Sequence, residues 1–396
     1  MAEVKTLNEV LKNLNKKFND NVAVIGAPDI TKRGTLSLGT PGLDYCLYNS
    51  LPRDRIIEIF GKEGSGKTTC AFLLAASFQR EEIKKPVEER KKILYVDLEH
   101  TVDSEWAIKT GYDMSKDAEV QTIYFGPVDV SAEIILDYVR EFIKTGEIGL
   151  CIIDSIPMLV GEQVYDESFE KKEMGGIAKL LTSFVARITS MLVKYDCTLI
   201  GINQMRDNIG GYGLPYTVPG GNQWKFGCSV RLMIKRGEFL DEDGNTLTSS
   251  AESPYGYRLD MAVVKTKVCR WDRKIGSCVF SYTDGPDILQ DTIDIAVKLG
   301  LIDNSVQGSF KLIDIDTGEI LKDSEGNEIK IRGKKNIKPY FKEHIDQYRR
   351  LYDKVYELIS KKDTSNMEAF KNMLDYRDSK EVFGIDLNTT AGLEDI

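Results

Sequence analysis

The chain has 396 residues, enough for one large core with smaller appendages, since single cores stop growing near roughly 250–300 residues. Charged residues make up 29% and mean hydropathy is -0.27, no apolar run reaches the ~18 residues of a membrane span, and Met1-Ala2-Glu3-Val4-Lys5 opens a polar segment without an apolar signal core; the expected location is the cytoplasm, with no membrane. A net charge of -9 and a pI of about 5.2 weigh against general nucleic-acid affinity unless the acids are segregated along the chain.

Leu7, Val10, Leu11, Leu14 and Phe18 recur at helical spacing and predict an amphipathic helix too short to form a core of its own. After a Gly/Ser/Thr-punctuated entry, strands are predicted at 56–60, 93–97, 121–125, 150–154, 198–202, 230–235, 261–264 and 277–281. Helical patterns fall at 69–79, 130–144 and 177–195. This alternation predicts an α/β fold: a mostly parallel central sheet with helices on both faces and a nucleotide at the carboxyl ends of the strands. The charged run 81–92, containing Pro86, reads as a solvated loop, and 239–257 as a surface hairpin. Beyond 288 a helix at 292–299 leads to strands either side of Asp316-Thr317-Gly318 and Glu325-Gly326-Asn327, then to a basic stretch at 330–338 and one helix at 340–360. The expected organisation is an N-terminal helical segment (1–33), a large α/β core (34–287), a small α/β C-terminal domain (288–362) and an acidic tail (363–396). Seven scattered cysteines without a C-x-x-C pair give no zinc or redox motif, and Cys70, Cys151 and Cys228 read as small buried hydrophobes.

Gly61-Lys62-Glu63-Gly64-Ser65-Gly66-Lys67-Thr68 is a complete G-x-x-x-x-G-K-T phosphate loop between a predicted strand and a predicted helix. Its glycines let the backbone fold into a nest of N–H groups, and the helix dipole adds to that field. Lys67 would reach the β- and γ-phosphates and Thr68 would ligate Mg²⁺, so the sequence implies a bound nucleoside triphosphate with magnesium. Asp154, ending an apolar strand, is the carboxylate expected to support the metal, partly through water. Glu99, just past another strand, can orient or deprotonate a water in line with the γ-phosphate. His100 reads as structural. Lys265-Thr266-Lys267 places two lysines on one face of a strand end.

Taken with these motifs, Arg55-Ile56-Ile57-Glu58-Ile59-Phe60-Gly61, Asp97-Leu98-Glu99-His100, Asp154-Ser155, Gly201-Ile202-Asn203-Gln204-Met205-Arg206, Gly220-Gly221-Asn222, Lys225-Phe226, Ser229-Val230-Arg231-Leu232 and Lys265-Thr266-Lys267 resemble, in order and spacing, the bacterial RecA recombinase family. The match runs from about residue 7 to about 360 and reads as a divergent, phage-type member. The resemblance implies an ATP-dependent helical filament on single-stranded DNA that pairs it with homologous double-stranded DNA and exchanges strands. It assigns Thr69 to the phosphate site, Asp103 and Trp106 to adenine (with Trp where the family usually has Tyr), and Gln204 to γ-phosphate sensing. Lys265 and Lys267 would cross to a neighbour's ATP, and Phe226 would pack at the subunit interface.

Two segments, 161–179 and 205–225, would bind DNA. Their expected contacts are Met174, Gly175, Gly176 and Lys179 in the first with Arg187 beyond its end, and Arg206, Gly210, Gly211, Gly220, Gly221, Asn222 and Lys225 in the second, with Tyr212 and Tyr216 as aromatics inside it. The first is unusually acidic, with Glu162, Asp166, Glu167, Glu170 and Glu173, and Ala186 stands where the family often has a basic residue. A hexameric helicase of the same core, or an ATP-binding recombination mediator, is the alternative. The extra C-terminal domain and the Lys-x-Lys pair argue against the former, and the retained Lys67, Asp154 and Glu99 against the latter.

Overall fold

The computed structural model describes residues 6–18 and 34–361, apart from 163–175, 209–215 and positions 243, 270, 307, 315, 316 and 324. Met174, Gly175, Gly210, Gly211, Tyr212 and the acidic tail therefore lie outside the described residues.

The chain divides into two compact units at Gly34. In the first, Leu7–Phe18 forms helix α1. It starts on a reciprocal cap: Thr6 N–H donates to Glu9 Oε2 at 2.8 Å, and Glu9 N–H to Thr6 Oγ1 at 3.3 Å. Leu7, Val10 and Leu14 on its apolar stripe are exposed.

The second unit is built on one large sheet. Its main strands are β1 (Ile56–Gly61), β2 (Lys92–Asp97), β3 (Thr122–Phe125), β4 (Ile148–Asp154), β5 (Thr198–Gln204), β6 (Val230–Leu240), β7 (Gly256–Thr266) and β8 (Ile275–Ser281). The order across the sheet is β8-β7-β6-β1-β5-β4-β2-β3. From β6 to β3 every pairing is parallel, while β7 and β8 extend the sheet antiparallel. Helix α2 (Lys67–Ile83) follows β1, α3 (Ser104–Lys109) follows β2, α4 (Ala132–Lys144) follows β3, and α5 (Gly176–Tyr195) precedes β5. Alternation along β1 sends Ile57 and Ile59 into the cluster with Phe72, Leu74 and Phe78 of α2. Ile56 points the other way, among Leu136 and Val139 of α4 and Leu181 and Ile188 of α5. Both faces are thus covered, which is why the parallel strands read as nearly continuous apolar runs.

Among the described residues α5 is the one helix long and apolar enough to cross a membrane by length and composition, which qualifies the expectation of no such run. Its inner face (Leu181, Phe184, Ile188, Leu192) belongs to the core and its outer face exposes Lys179, Arg187 and Lys194. Six of the seven cysteines are buried, Cys70, Cys151 and Cys228 among them.

A separate apolar cluster gathers Ile293 and Ile295 of α7 (Ile288–Lys298), Phe341 of α8 (Ile337–Glu343) and Leu351, Val355 and Ile359 of α9 (Ile345–Ser360), beside a small antiparallel sheet of Ile302–Asp303, Ser309–Leu312 and Lys330–Arg332. Arg273 ties this region to the core strands: its guanidinium lies 4.5 Å and 3.9 Å from the rings of Tyr45 and Tyr48 and donates to Ile359 O at 2.9 Å.

Two local expectations are corrected. The single helix over 340–360 is broken at His344, whose φ of -115° and ψ of 60° are not helical. The run 81–92 is not simply a solvated loop. α2 continues to Ile83, and fully buried Glu82 accepts hydrogen bonds from Arg53 at 2.8 Å, Lys85 at 2.7 Å and Lys91 N–H at 3.0 Å. Burial pushes the Glu82 carboxyl up, but the charged Lys85 and Arg53 and the Lys91 N–H outweigh it and hold the carboxyl below the usual range.

Candidate functional site

The carboxyl ends of β1, β4 and β5, the turn after β2 and the start of α2 enclose a cleft of about 520 Å³. It is lined by Glu63, Gly64, Ser65, Gly66, Lys67, Thr68, Thr69, Glu99, Asp103, Trp106, Asp154 and Gln204, so most of the nucleotide residues expected from sequence meet in one place. Gly64 and Gly66 take φ of +64° and +94°. A side chain on Gly66 would also meet Leu259 Cδ1 at 2.7 Å, so the loop curls close against β7. Ser65 Oγ is buried without a hydrogen-bond partner. An orphaned hydroxyl inside a ring of N–H donors suits a ligand rich in acceptor oxygens, and the loop therefore fits a polyphosphate.

Lys67 Nζ donates to Lys62 O at 2.8 Å, folded back over the loop. Burial pulls its pKa down, against the pull of Glu99, Asp154 and Glu63. Thr68 Oγ1 donates to Asp154 Oδ2 at 2.9 Å, and Tyr95 OH donates to the same oxygen at 2.9 Å. Burial raises the Asp154 carboxyl to about 6, despite these bonds. A hydroxyl and a carboxylate sharing one point suit a divalent cation with oxygen ligands. Glu99 Oε1 accepts from Ser155 Oγ at 2.5 Å and from Gln204 Nε2 at 3.2 Å. Glu99 and Gln204, far apart in sequence, are therefore bonded neighbours.

Asp103 caps α3, accepting from Trp106 N–H at 2.9 Å, and Trp106 Nε1 donates to Thr69 Oγ1 at 2.9 Å. The cap aims the indole into the cleft. Arg236, Tyr257 and Tyr282 also line the cleft, and the sequence reading missed them. They come from β6, β7 and the turn after β8, and no local pattern marks them. His100 N–H donates to Asp97 Oδ1 at 2.8 Å, a backbone contact in keeping with a structural role.

Lys265 and Lys267 lie outside this cleft. Lys265 Nζ donates to Lys225 O at 2.6 Å and Lys267 Nζ to Phe226 O at 2.9 Å, both at the end of α6 (Gly221–Gly227). Burial, then the charge of Lys267, lowers Lys265 to about 8. The lysines are thus not merely surface charges. Phe226 is 61% exposed, as are several other large apolar side chains of the described residues, so exposure alone does not mark it.

Of the expected DNA residues, Gly176, Lys179 and Arg187 lie on exposed positions of α5, and Arg206 is exposed at the start of the second segment. There a short ladder pairs Arg206 with Thr217 and Asp207 with Tyr216, and Lys62 of the phosphate loop forms a 3.0 Å ion pair with Asp207. Gly220 and Gly221 have φ of +107° and +74° and begin α6, with Asn222 exposed and Lys225 half-buried. A Cβ on Gly221 would meet Ala178 Cβ at 3.0 Å, so the ends of the two expected DNA segments converge. Tyr216 is corrected: it is buried, packed 6.1 Å from the Phe60 ring, and does not present its ring for stacking.

A family model described as RecA N-terminal domain matches residues 5–285. Among curated relatives, Protein RecA of Campylobacter hominis is 31% identical over 345 residues, covering 86% of this chain and 88% of the relative. Protein RecA of Nitratiruptor sp. is 32% identical over 345 residues, with 86% and 89% covered. Protein RecA of Wolinella succinogenes is 30% identical over 365 residues, with 91% and 93% covered.

Proposed function

The chain belongs to the RecA family; it is an ATP-dependent DNA recombinase and a DNA-dependent ATPase, and we propose the following division of labour among its residues. The N–H groups of 61–67 and the Lys67 ammonium cradle the phosphates, with Thr69 beside them. Thr68 and Asp154 hold Mg²⁺, Asp154 partly through water. Magnesium, when bound, supplies charge neutralisation between the phosphate oxygens. Glu99 takes the proton of the attacking water, and Gln204, bonded to it, reads the γ-phosphate. Trp106 stacks on adenine and Asp103 meets its edge. Lys265 and Lys267 reach a neighbouring subunit's nucleotide, as an arginine finger does, which couples hydrolysis to assembly.

In the same reading the partners are single-stranded DNA, double-stranded DNA and further copies of the chain in a helical filament. α5 and the 205–225 segment face the single strand, and the 330–338 stretch meets the duplex. The N-terminal segment 1–33 serves polymerisation, 34–287 is the catalytic core, 288–362 a small C-terminal domain and 363–396 an acidic tail that competes for DNA sites. The site of action is the cytoplasm, or the host cytoplasm for a phage-encoded protein.

The observation that carries the reading is the Glu99 carboxylate bonded to Gln204, in the same cleft as Lys67 and the Thr68–Asp154 pair. Electron microscopy with single-stranded DNA and a non-hydrolysable ATP analogue tests it, alongside ATPase rates with and without DNA. Helical filaments and DNA-stimulated hydrolysis are expected; rings or isolated molecules without stimulation would overturn it.

A further inference from the structure

One row of register partners crosses the sheet just behind the cleft. Lys265 of β7 pairs with Arg231 of β6, Arg231 with Glu58 of β1, and Glu58 with Gly201 of β5. The β6–β7 register shifts immediately after Arg231, an irregularity of the kind that re-aims a side chain at a strand end. Glu58 and Arg231 are both fully buried and form an ion pair through Arg231 Nε. Glu58 Oε1 also accepts from Asn203 Nδ2 and from Trp224 Nε1, each at 2.8 Å. A carboxylate this deep is retained only when all its charge is answered, and here three donors answer it.

The Trp224 indole has a place made for it. A Cβ on Gly201 would meet its ring atoms at 2.3 and 2.7 Å, so the bare glycine backbone is what admits the ring. Trp224 belongs to α6, directly before Lys225 and Phe226, whose carbonyls receive the Lys265 and Lys267 ammoniums. On the other side, Asn203 Oδ1 accepts the backbone N–H of Gln204 at 2.9 Å. Glu58 therefore touches two chains of contact. One leads through Asn203 to Gln204, and the other through Trp224 to the lysine-bearing end of α6.

We propose that Trp224 and Glu58 are positioning residues that lock α6 to the strand end carrying Gln204, so that the γ-phosphate contact in a subunit's own cleft and the Lys265/Lys267 pair it offers outward move as one unit. This rests on the reading of Gln204 and the lysines given above. Buried networks with every member satisfied are rigid and hold two arrangements poorly. A shift of Gln204 on nucleotide binding is then passed to the lysines through the indole–carboxylate bond. By linkage, a neighbour's nucleotide on the lysines must in turn change affinity in the subunit's own cleft.

The test uses the full chain labelled with 5-fluorotryptophan, whose three positions are Trp106, Trp224 and Trp271. The Trp224 fluorine resonance is the one lost in Trp224→Phe. Magnesium with a non-hydrolysable ATP analogue should move both the Trp106 and the Trp224 resonances. In Gln204→Ala, Trp106 should still move and Trp224 should stay. A Trp224 signal that ignores the analogue while Trp106 responds, or one that still moves in Gln204→Ala, overturns the inference and leaves the nucleotide site standing. A Trp106 signal that ignores the analogue overturns the nucleotide site itself and the inference with it. In kinetics, Trp224→Phe should lower DNA-stimulated kcat roughly tenfold with KM for ATP within about twofold, the mark of misplacement rather than lost binding. Equal loss in both would mean a structural role only.

Discussion

In the parallel half of the sheet the proposed catalytic side chains hold one another. Thr68 and Tyr95 both donate to Asp154, while Ser155 and Gln204 both donate to Glu99. On the antiparallel extension, Lys265 and Lys267 instead bond main-chain oxygens of α6. The first arrangement is preorganised for chemistry, with its groups at the ends of strands whose cores are buried on both faces. The second is a parking place. A backbone carbonyl is a neutral acceptor and engages only part of an ammonium's three donors, so the rest of the donors and the full charge stay on offer to a phosphate while the lysine keeps its hold on α6. Such groups suit a role that starts only when a second surface arrives.

The sharpest way to break this contrast is to remove the parked charges. Lys265→Met with Lys267→Met should lower DNA-stimulated ATP hydrolysis ~1000-fold, the scale of a lost arginine finger. ATP affinity of the dispersed protein, read by equilibrium binding, should be unchanged. Weakened binding there would place the lysines in the subunit's own site. The next largest effect comes from the other half. Glu99→Gln keeps a hydrogen-bonding group beside Gln204 and Ser155 but cannot take a proton, so kcat should fall ~100-fold or more while ATP still binds. Filaments of this variant should persist after ATP addition under the electron microscope. Rapid hydrolysis would remove Glu99 from its assigned role.

How much of this could be read from the chain depends on the range over which each feature is encoded. The phosphate loop, its flanking strand and helix, and the run of parallel strands are local patterns, and they appear where expected. Glu99 and Asp154 were visible as acids at strand ends. Features made by distant partners were not. Glu82 is buried because Arg53 reaches it from 29 positions away, and nothing in the charged run 81–92 announces that. Tyr216 reads as available for bases, but its ring packs on Phe60 of β1 in a small cluster with Val218, Met233 and Val264, residues far apart in the chain. Arg236, Tyr257 and Tyr282 enter the cleft because β6 pairs with β1 and β7 and β8 extend the sheet beyond it. The partnership of Glu58 with Trp224 spans 166 positions and was likewise invisible.

A smaller effect is expected from charge that lies beyond either half of the sheet. Deleting residues 364–396 removes an excess of acids and should raise affinity for duplex DNA several-fold, roughly the change in counterion release when one or two phosphate contacts become available. Its dependence on Mg²⁺ should flatten. A titration by fluorescence anisotropy at fixed salt measures this, and identical curves for the two proteins would refute the tail's competing role.

The smallest effect separates a parked lysine from an ordinary surface one. Lys265 is lowered from 10.5 to about 8, first by burial and then by Lys267. Below about pH 8 the folded and unfolded chains both carry this proton, and the folded state bears the whole penalty of the disfavoured charge. Between about 8 and 10.5 the unfolded chain binds more protons at this site than the folded one, so this group's contribution to stability rises with pH across that window. Lys265→Met loses the bond to Lys225 O at every pH but has no such slope. The urea midpoint of the wild type relative to Lys265→Met should therefore improve as pH rises from 7.5 to about 10, modestly, since the lysine is only partly buried and solvent screens it. A pH-independent difference would mean that Lys265 titrates like a free lysine, and the distinction between held and parked groups would lose its electrostatic basis.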